Sequence, residues 1–311
     1  VGSREITIGD VIRAADYRGD LDSAWAETCW LVEREESATD EEIQASSEKF
    51  RTDRDLLTAE ETEQWLDERG LTLDEFGDYI VRQTGKETLH PKAGTPATKY
   101  AEAEEELQDL LRIDLLLGGE FDRLAEGLAW RLASKSDGGS GETGDLLDEL
   151  SELETAYRET SAGLLNEHAR AQALTLLRLD LTGLELEVLD LESHDAASEA
   201  LLCLREDGLS MAEVARDGRY PLQSRELRFA ELPEEAQPKM ISASPGEVVG
   251  PFPHGDGVRI YRLARKIEPS LEDAAVKERV DRYLVDRYFS ELVARHIHWI
   301  IEPSRSYAET R

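Results

Sequence analysis

The hydrophobic period of this chain changes twice, and the two changes set what it can fold into. Up to about Ala173 apolar residues recur at helical spacing. Leu174–Asp180 and Leu184–Leu191 (LELEVLDL) then alternate as strands do, and from Ser270 to about Trp299 the residues Val276, Val280, Leu284, Tyr288 and Leu292 return in steps of four. That last helix carries one apolar stripe, which must pack on something. The mixed segment before it is too small to cover the stripe, so the helix is expected to return to the N-terminal helices.

Local signals place the first elements. Thr39-x-x-Glu42, Thr58-x-x-Glu61 and Thr72-x-x-Glu75 each offer a hydroxyl to an orphan N–H and a carboxylate that reaches back, so three helices start within one short stretch. Gly70 ends the second of them in the left-handed way, and Trp65, Leu66, Leu71, Leu73, Phe76, Tyr79 and Ile80 supply a packing face. An earlier helix, Leu21 to Val32, sets Trp25 and Cys29 on one side with Leu31 or Val32. His90–Thr98 (HPKAGTPAT) reads as a linker. Helices follow from Lys99 to Leu117, from Phe121 to Ala133 and from Leu146 to about Ala171. Gly118-Gly119 is a stop, and Ser134–Asp145 (SKSDGGSGETGD) an open loop.

After LELEVLDL, a helix from Asp195 to Asp207 stops at Gly208, with Asp195 as its capping residue, and Ser210 opens a short helix through Ala215. Leu222–Phe229 reads as a strand, Leu232–Met240 as a turn or helix, and Val258–Leu263 (VRIYRL) as a strand behind Gly255-Asp256-Gly257. The expected fold class is α+β: a helical N-terminal region completed by a long C-terminal helix, with an α/β domain between. The boundaries read as a helical region at 1–92, a linker at 93–99, a helical region at 100–172 with a flexible loop at 134–145, an α/β domain at 173–268, the final helix at 269–300 and a tail at 301–311.

Two stretches carry a resemblance. Leu57-Thr58-Ala59-Glu60-Glu61 through Trp65 to Phe76 is similar to the helix-turn-helix that precedes the isomerase domain in the SurA/PrsA/PpiD group of parvulin-type peptidyl-prolyl isomerases and chaperones. Ser244-Pro245-Gly246-Glu247-Val248-Val249-Gly250-Pro251-Phe252, followed by Gly257-Val258-Arg259-Ile260-Tyr261-Arg262-Leu263, resembles the parvulin segment in which a Pro-Gly-Glu turn feeds a strand and a Gly precedes the last strand. Leu184 to Ala215 fits the first strand and helices of that fold. More loosely, the order is similar to parvulin-related proteins encoded beside ribosomal peptide natural-product precursors. The resemblance covers roughly residues 55–85 and 184–295.

The departures bear on function. Active parvulins carry a His in the first strand and another just after the Gly of the last strand; here those places fall near Val188 and at Arg259. Met240 and Ile241 lie near the family's pocket aromatic, and Val249 stands where Ser or Thr is usual. Prolyl isomerisation requires a site that binds the twisted amide better than either planar form, across a barrier of roughly 18–20 kcal/mol. Without the two imidazoles, apolar and backbone contacts could still hold an extended chain. The resemblance therefore implies a peptide-binding groove around Met240, Ile241, Val249, Phe252 and Val258, with Val188 and Arg259 at the altered positions, or a cleft among the helices. The alternatives are an isomerase with a rearranged pocket and a scaffold subunit of a biosynthetic complex. The partners implied are an extended or unfolded peptide, such as a ribosomally made precursor, and a partner biosynthetic enzyme.

Composition narrows the partners further. The 311 residues carry 68 Asp+Glu against 36 Lys+Arg, a net charge of −32, which repels phosphate backbones and anionic lipid. Nucleic acid and membranes are thus excluded as expected partners. The acidic runs at Glu33, Glu35, Glu36 and at Glu102–Glu106 read as solvated helix faces, or as an attraction for basic clients. Cys29 and Cys203 are too few and too distant for a disulfide framework or a thiolate metal site. His296-x-His298 points to two faces of a helix, Gly138-Gly139-Ser140-Gly141 lacks the following Lys of a phosphate loop, and Ser140 and Ser161 have no nucleophile context. No cofactor or metal is expected. No apolar run approaches 18 residues and the N-terminus shows neither a charged nor an apolar leader region, so the expected compartment is cytoplasmic; Val1-Gly2-Ser3 reads as a cloning remnant, which leaves periplasmic or extracellular if a leader was removed.

Overall fold

Reciprocal capping starts five of the helices. In α1 (Ile8–Arg18), α3 (Asp40–Thr52), α4 (Ala59–Asp67), α5 (Leu73–Gln83) and α11 (Met211–Gly218) a Thr or Ser side chain accepts from the third residue's N–H, while that residue's carboxylate accepts from the cap N–H. At α4, Glu61 accepts from the Thr58 N–H at 2.8 Å and Thr58 Oγ1 accepts from the Glu61 N–H at 3.1 Å. Thr7→Ala at α1 is expected to cost about 1 kcal/mol of stability, read from the midpoint of urea unfolding. No change in midpoint would show that α1 is held by packing alone.

The computed structural model describes residues 5–33, 38–84, 98–138 and 146–300. Its fold class is α+β: thirteen α-helices and one four-stranded antiparallel sheet among the described residues. The chain divides into two compact units, one of residues up to Thr160 together with Tyr288 onward, the other of Ser161–Arg287. The linker expected over 93–99 lies outside the described residues as far as 97, as do residues 139–145 of the expected loop and the tail at 301–311.

In the first unit α1, α2 (Asp22–Glu33), α3, α4, α5, α6 (Glu105–Gly118), α7 (Glu120–Gly138) and most of α8 (Leu146–Leu164) pack around α6. Leu111 and Leu115 of α6 join Val11, Ile12, Trp25, Leu128 and Leu150, while Ile113, Leu116 and Leu117 join Phe50, Leu66, Phe76 and Tyr79 on its opposite side. One polar node lies in this interior. Arg82 Nη2 donates to Asp114 Oδ1 at 2.8 Å, and the Thr28 hydroxyl donates to Asp114 Oδ2 at 2.8 Å, joining α5, α6 and α2. Gly70 takes φ +65, and Leu31 rather than Val32 is buried on α2. Leu73 is half exposed and drops out of the expected packing face, because as first residue of α5 it precedes the turn whose far side meets the core.

The second unit is built on the sheet. Strands β1 (Gly183–Leu191), β2 (Leu222–Arg228), β3 (Val248–His254) and β4 (Gly257–Ile267) lie in the order β2-β1-β4-β3. LELEVLDL buries both sides of β1. Leu184, Leu186 and Val188 join Tyr261, Leu263 and Phe252 beneath Phe229, Leu232 and Met240, the last on α12 (Gln237–Ser242). Leu189 and Leu191 join Ile260 beneath α11 and α10 (His194–Arg205). The acidic residues left over pair across the strands, Glu187 with Arg262 at 2.6 Å and Glu185 with Arg265. Gly257 is required where it stands: a Cβ there would fall on the Leu191 carbonyl oxygen.

Several expected boundaries move. Leu174–Asp180 is not a strand. Asn166 caps α9 (Glu167–Leu176), whose chain turns at Leu177, and this helix, not a continuation of α8, covers residues up to 176. Its Ala173, with Leu181, packs on Val276 and Val280 of α13 (Ala274–His296), and Arg170 clamps Asp281 with bonds of 2.6 and 2.9 Å. The second unit accordingly begins at Ser161 rather than 173. Residues 134–138 continue α7 rather than opening a loop, with the Ser134 hydroxyl donating to the Trp130 carbonyl. A 3-10 turn, Tyr100–Glu102, precedes α6, so the helix expected from Lys99 starts at Glu105. Ser193, not Asp195, caps α10. On α13, steps of four advance roughly 40° each around a helix of 3.6 residues per turn. Phe289 rather than Tyr288 is therefore fully buried, stacked on Trp130 at 5.5 Å and tilted against Tyr157 at 5.0 Å.

Candidate functional site

The seven residues expected around one groove are not brought together in one. Val188, Met240, Val249 and Phe252 are fully buried in a single closed cluster between the sheet and α12. Val258 packs on the opposite face of the sheet with Leu189 and Leu191, since it precedes Arg259 on the strand and side chains alternate. Ile241 follows Met240 on α12, about 100° around the helix, and is 51% exposed. Only Ile241 of the apolar set faces solvent.

Arg259 takes the place that the resemblance gives to the second His, and it is sealed. The register sets it opposite Asp190, and the two form a bidentate pair with Nε–Oδ1 at 2.6 Å and Nη2–Oδ2 at 3.0 Å. The Arg259 hydrogen bonds hold the Asp190 carboxyl below its usual range, aided by the charges of Arg259 and Arg225, against burial acting the other way. Asp190 in turn holds the guanidinium above its ordinary value. Arg259 Nη2 also lies 2.6 Å from His254 Nε2; a guanidinium can only donate, so this ring nitrogen accepts and the proton sits on Nδ1. An imidazole does reach the last strand, from the end of β3, yet its free lone pair is spent on Arg259. The cluster is an ion pair with a capped ring, not an acid–base pair facing a cavity.

An open concavity of this unit lies elsewhere. A groove of about 370 Å³ runs over Leu184 and Phe229 between α9, the turn after it, α12 and the end of β4. Leu176 (65% exposed), Leu179 (47%) and Ile241 rise along its sides. Lys266 reaches in from β4 and donates to the Ile241 carbonyl at 2.8 Å, while Arg178 and Glu268 form an exposed pair at 3.0 Å. Of eleven large apolar residues exposed among the described residues, three converge here, so their exposure is not the usual scatter of single surface side chains. Sequence reasoning missed Leu176, Leu179 and Lys266. A signal existed: Leu174, Leu176, Leu177, Leu179 and Leu181 span more of a helical circumference than one buried face can use.

Among the described residues no three His, Cys, Asp or Glu side chains are placed to hold a metal ion, and no helix is long and apolar enough to cross a membrane. No protein-family model matches the chain. No curated protein matches it. Among solved structures, the peptidylprolyl isomerase PrsA from Bacillus cereus aligns over 99% of this chain and 96% of its own, at 11% sequence identity and a TM-score of 0.31. At that distance residue roles do not transfer between the two.

Proposed function

We propose that the second unit holds extended peptide and does not turn over X-Pro bonds. The observation that carries this reading is the groove in which Leu176, Leu179 and Ile241 stay exposed around a buried apolar floor. Such surface is retained against the hydrophobic effect, and concave apolar sites with a few polar groups are where ligands bind. Turnover is disfavoured because the places the resemblance assigns to its proline pocket are filled by Val188, Met240 and Phe252, and Arg259 is committed to Asp190. A barrier to amide rotation falls only where a dry, shaped site fits the twisted form better than the planar one. The client is an extended segment of an unfolded chain or of a ribosomally made precursor.

Fluorescence anisotropy with labelled apolar hexapeptides tests the binding half. Ile241→Asp should weaken binding at least about tenfold, roughly 1.4 kcal/mol, while the half-exposed position leaves the fold intact by circular dichroism. Equal affinity in the variant would remove the groove from consideration. A protease-coupled proline-peptide assay tests the other half: the rate should stay at background, and clear acceleration by the wild-type chain would overturn the non-catalytic reading.

A further inference from the structure

Lys266 is a partly buried lysine that lines the groove with its ammonium open to solvent, in a protein with almost two carboxylates for each cation, and among the described residues it forms no ion pair. At the rim of the same groove Arg178 meets Glu268, and in the first unit Lys135 meets both Glu149 and Glu152. Lys266 spends one of its three N–H donors on the Ile241 carbonyl and keeps the others for the groove. Resting on the peptide-holding reading, we propose that the groove recognises the free C-terminus of a peptide, its carboxylate received by Lys266 and its last apolar side chains by Leu176, Leu179 and Ile241.

The choice of a chain end over an acidic tract follows from charge on two scales. Among the residues that line the groove the unmatched charge is the positive one of Lys266. Over the chain it is strongly negative: the second unit holds 24 Asp+Glu against 16 Lys+Arg, and the remainder 44 against 20. That field repels acidic peptides at a distance. A terminal carboxylate supplies one negative charge to any chain, including a basic one, and an ammonium beside an apolar wall gives it a charge-assisted hydrogen bond.

The test uses the full chain and an N-terminally fluorescein-labelled hexapeptide ending in Ala-Leu-Leu, prepared as free acid and as amide. The acid should bind at least about fivefold tighter, a gap that narrows with added salt. Lys266→Gln should bring the acid down to the level of the amide and leave amide binding unchanged. Equal binding of acid and amide to the wild type would overturn the terminal-carboxylate inference while leaving the peptide-holding reading in place. Failure of both peptides to bind would overturn both. An amidated peptide with an internal Asp that binds as tightly as the acid would overturn the choice of a chain end. The wild-type comparison stands on its own should Lys266→Gln fold poorly.

Discussion

Asp114→Ala should cost the first unit about 3–5 kcal/mol, a large share of the roughly 5–15 kcal/mol that holds a typical protein folded. Arg82 and Asp114 have side-chain exposures of 14% and 10%, so neither can turn to water when its partner is removed. Arg82 Nε is already buried without a hydrogen-bond partner, and the loss of Asp114 would strand Nη2 and the Thr28 hydroxyl as well. Breaking a buried pair leaves a bare charge in low dielectric, whereas exchanging both members for apolar groups removes the desolvation penalty together with the attraction. The double variant Arg82→Met/Asp114→Leu should therefore recover most of the loss. All five tryptophans, at 25, 30, 65, 130 and 299, fall in the first unit, so tryptophan fluorescence during urea unfolding reports on it selectively. If the single and double variants unfold alike, the node contributes packing and not charge balance.

In the second unit the matching experiment has a built-in asymmetry. Asp190→Ala should cost about 2–4 kcal/mol, somewhat below the usual figure for a buried pair because Asp190 keeps 29% of its side chain in water. Arg259→Ala should cost less, since the carboxylate left behind is the wetter partner; the Arg259 side chain is only 10% exposed. Amide hydrogen exchange along β1 and β4 would read both. The acid limb has a definite sign. Arg259 depresses the folded-state pKa of Asp190, so the folded chain binds fewer protons there than the unfolded chain. The pair's contribution is then fully present above the unfolded value of about 3.9 and is lost as pH falls through the depressed one. Wild type and Asp190→Ala should converge in stability at the acid end of that window. A larger loss from Arg259→Ala than from Asp190→Ala would reverse the assignment of the dry partner.

What could be read in advance was local. Thr39, Thr58 and Thr72 announce their helices because a capping box needs only four consecutive residues, and LELEVLDL announces a strand because alternation is visible within eight. Leu174–Asp180 misled because a short run rich in Leu fits either period, and the Asn166 cap that decides for a helix stands eight residues upstream. The groove was hidden for a different reason. Leu179, Ile241 and Lys266 come from three separate segments, and only the sheet register and the placing of α12 bring them together. The site residues taken from the resemblance lie on β1, α12, β3 and β4. They do not gather around one cavity, because Asp190 and His254 claim Arg259 and Met240 turns inward while Ile241 turns out.

The first unit includes both early and late parts of the chain, with Phe289, Leu292 and Trp299 supplied by the residues that follow the second unit in sequence. On the ribosome, Trp130 and Tyr157 must wait for Phe289 to be made, whereas the sheet and its covering helices are complete once Arg287 has emerged. The order of birth is thus the reverse of the order of maturation: the inserted piece can settle first, and the piece begun earliest closes last.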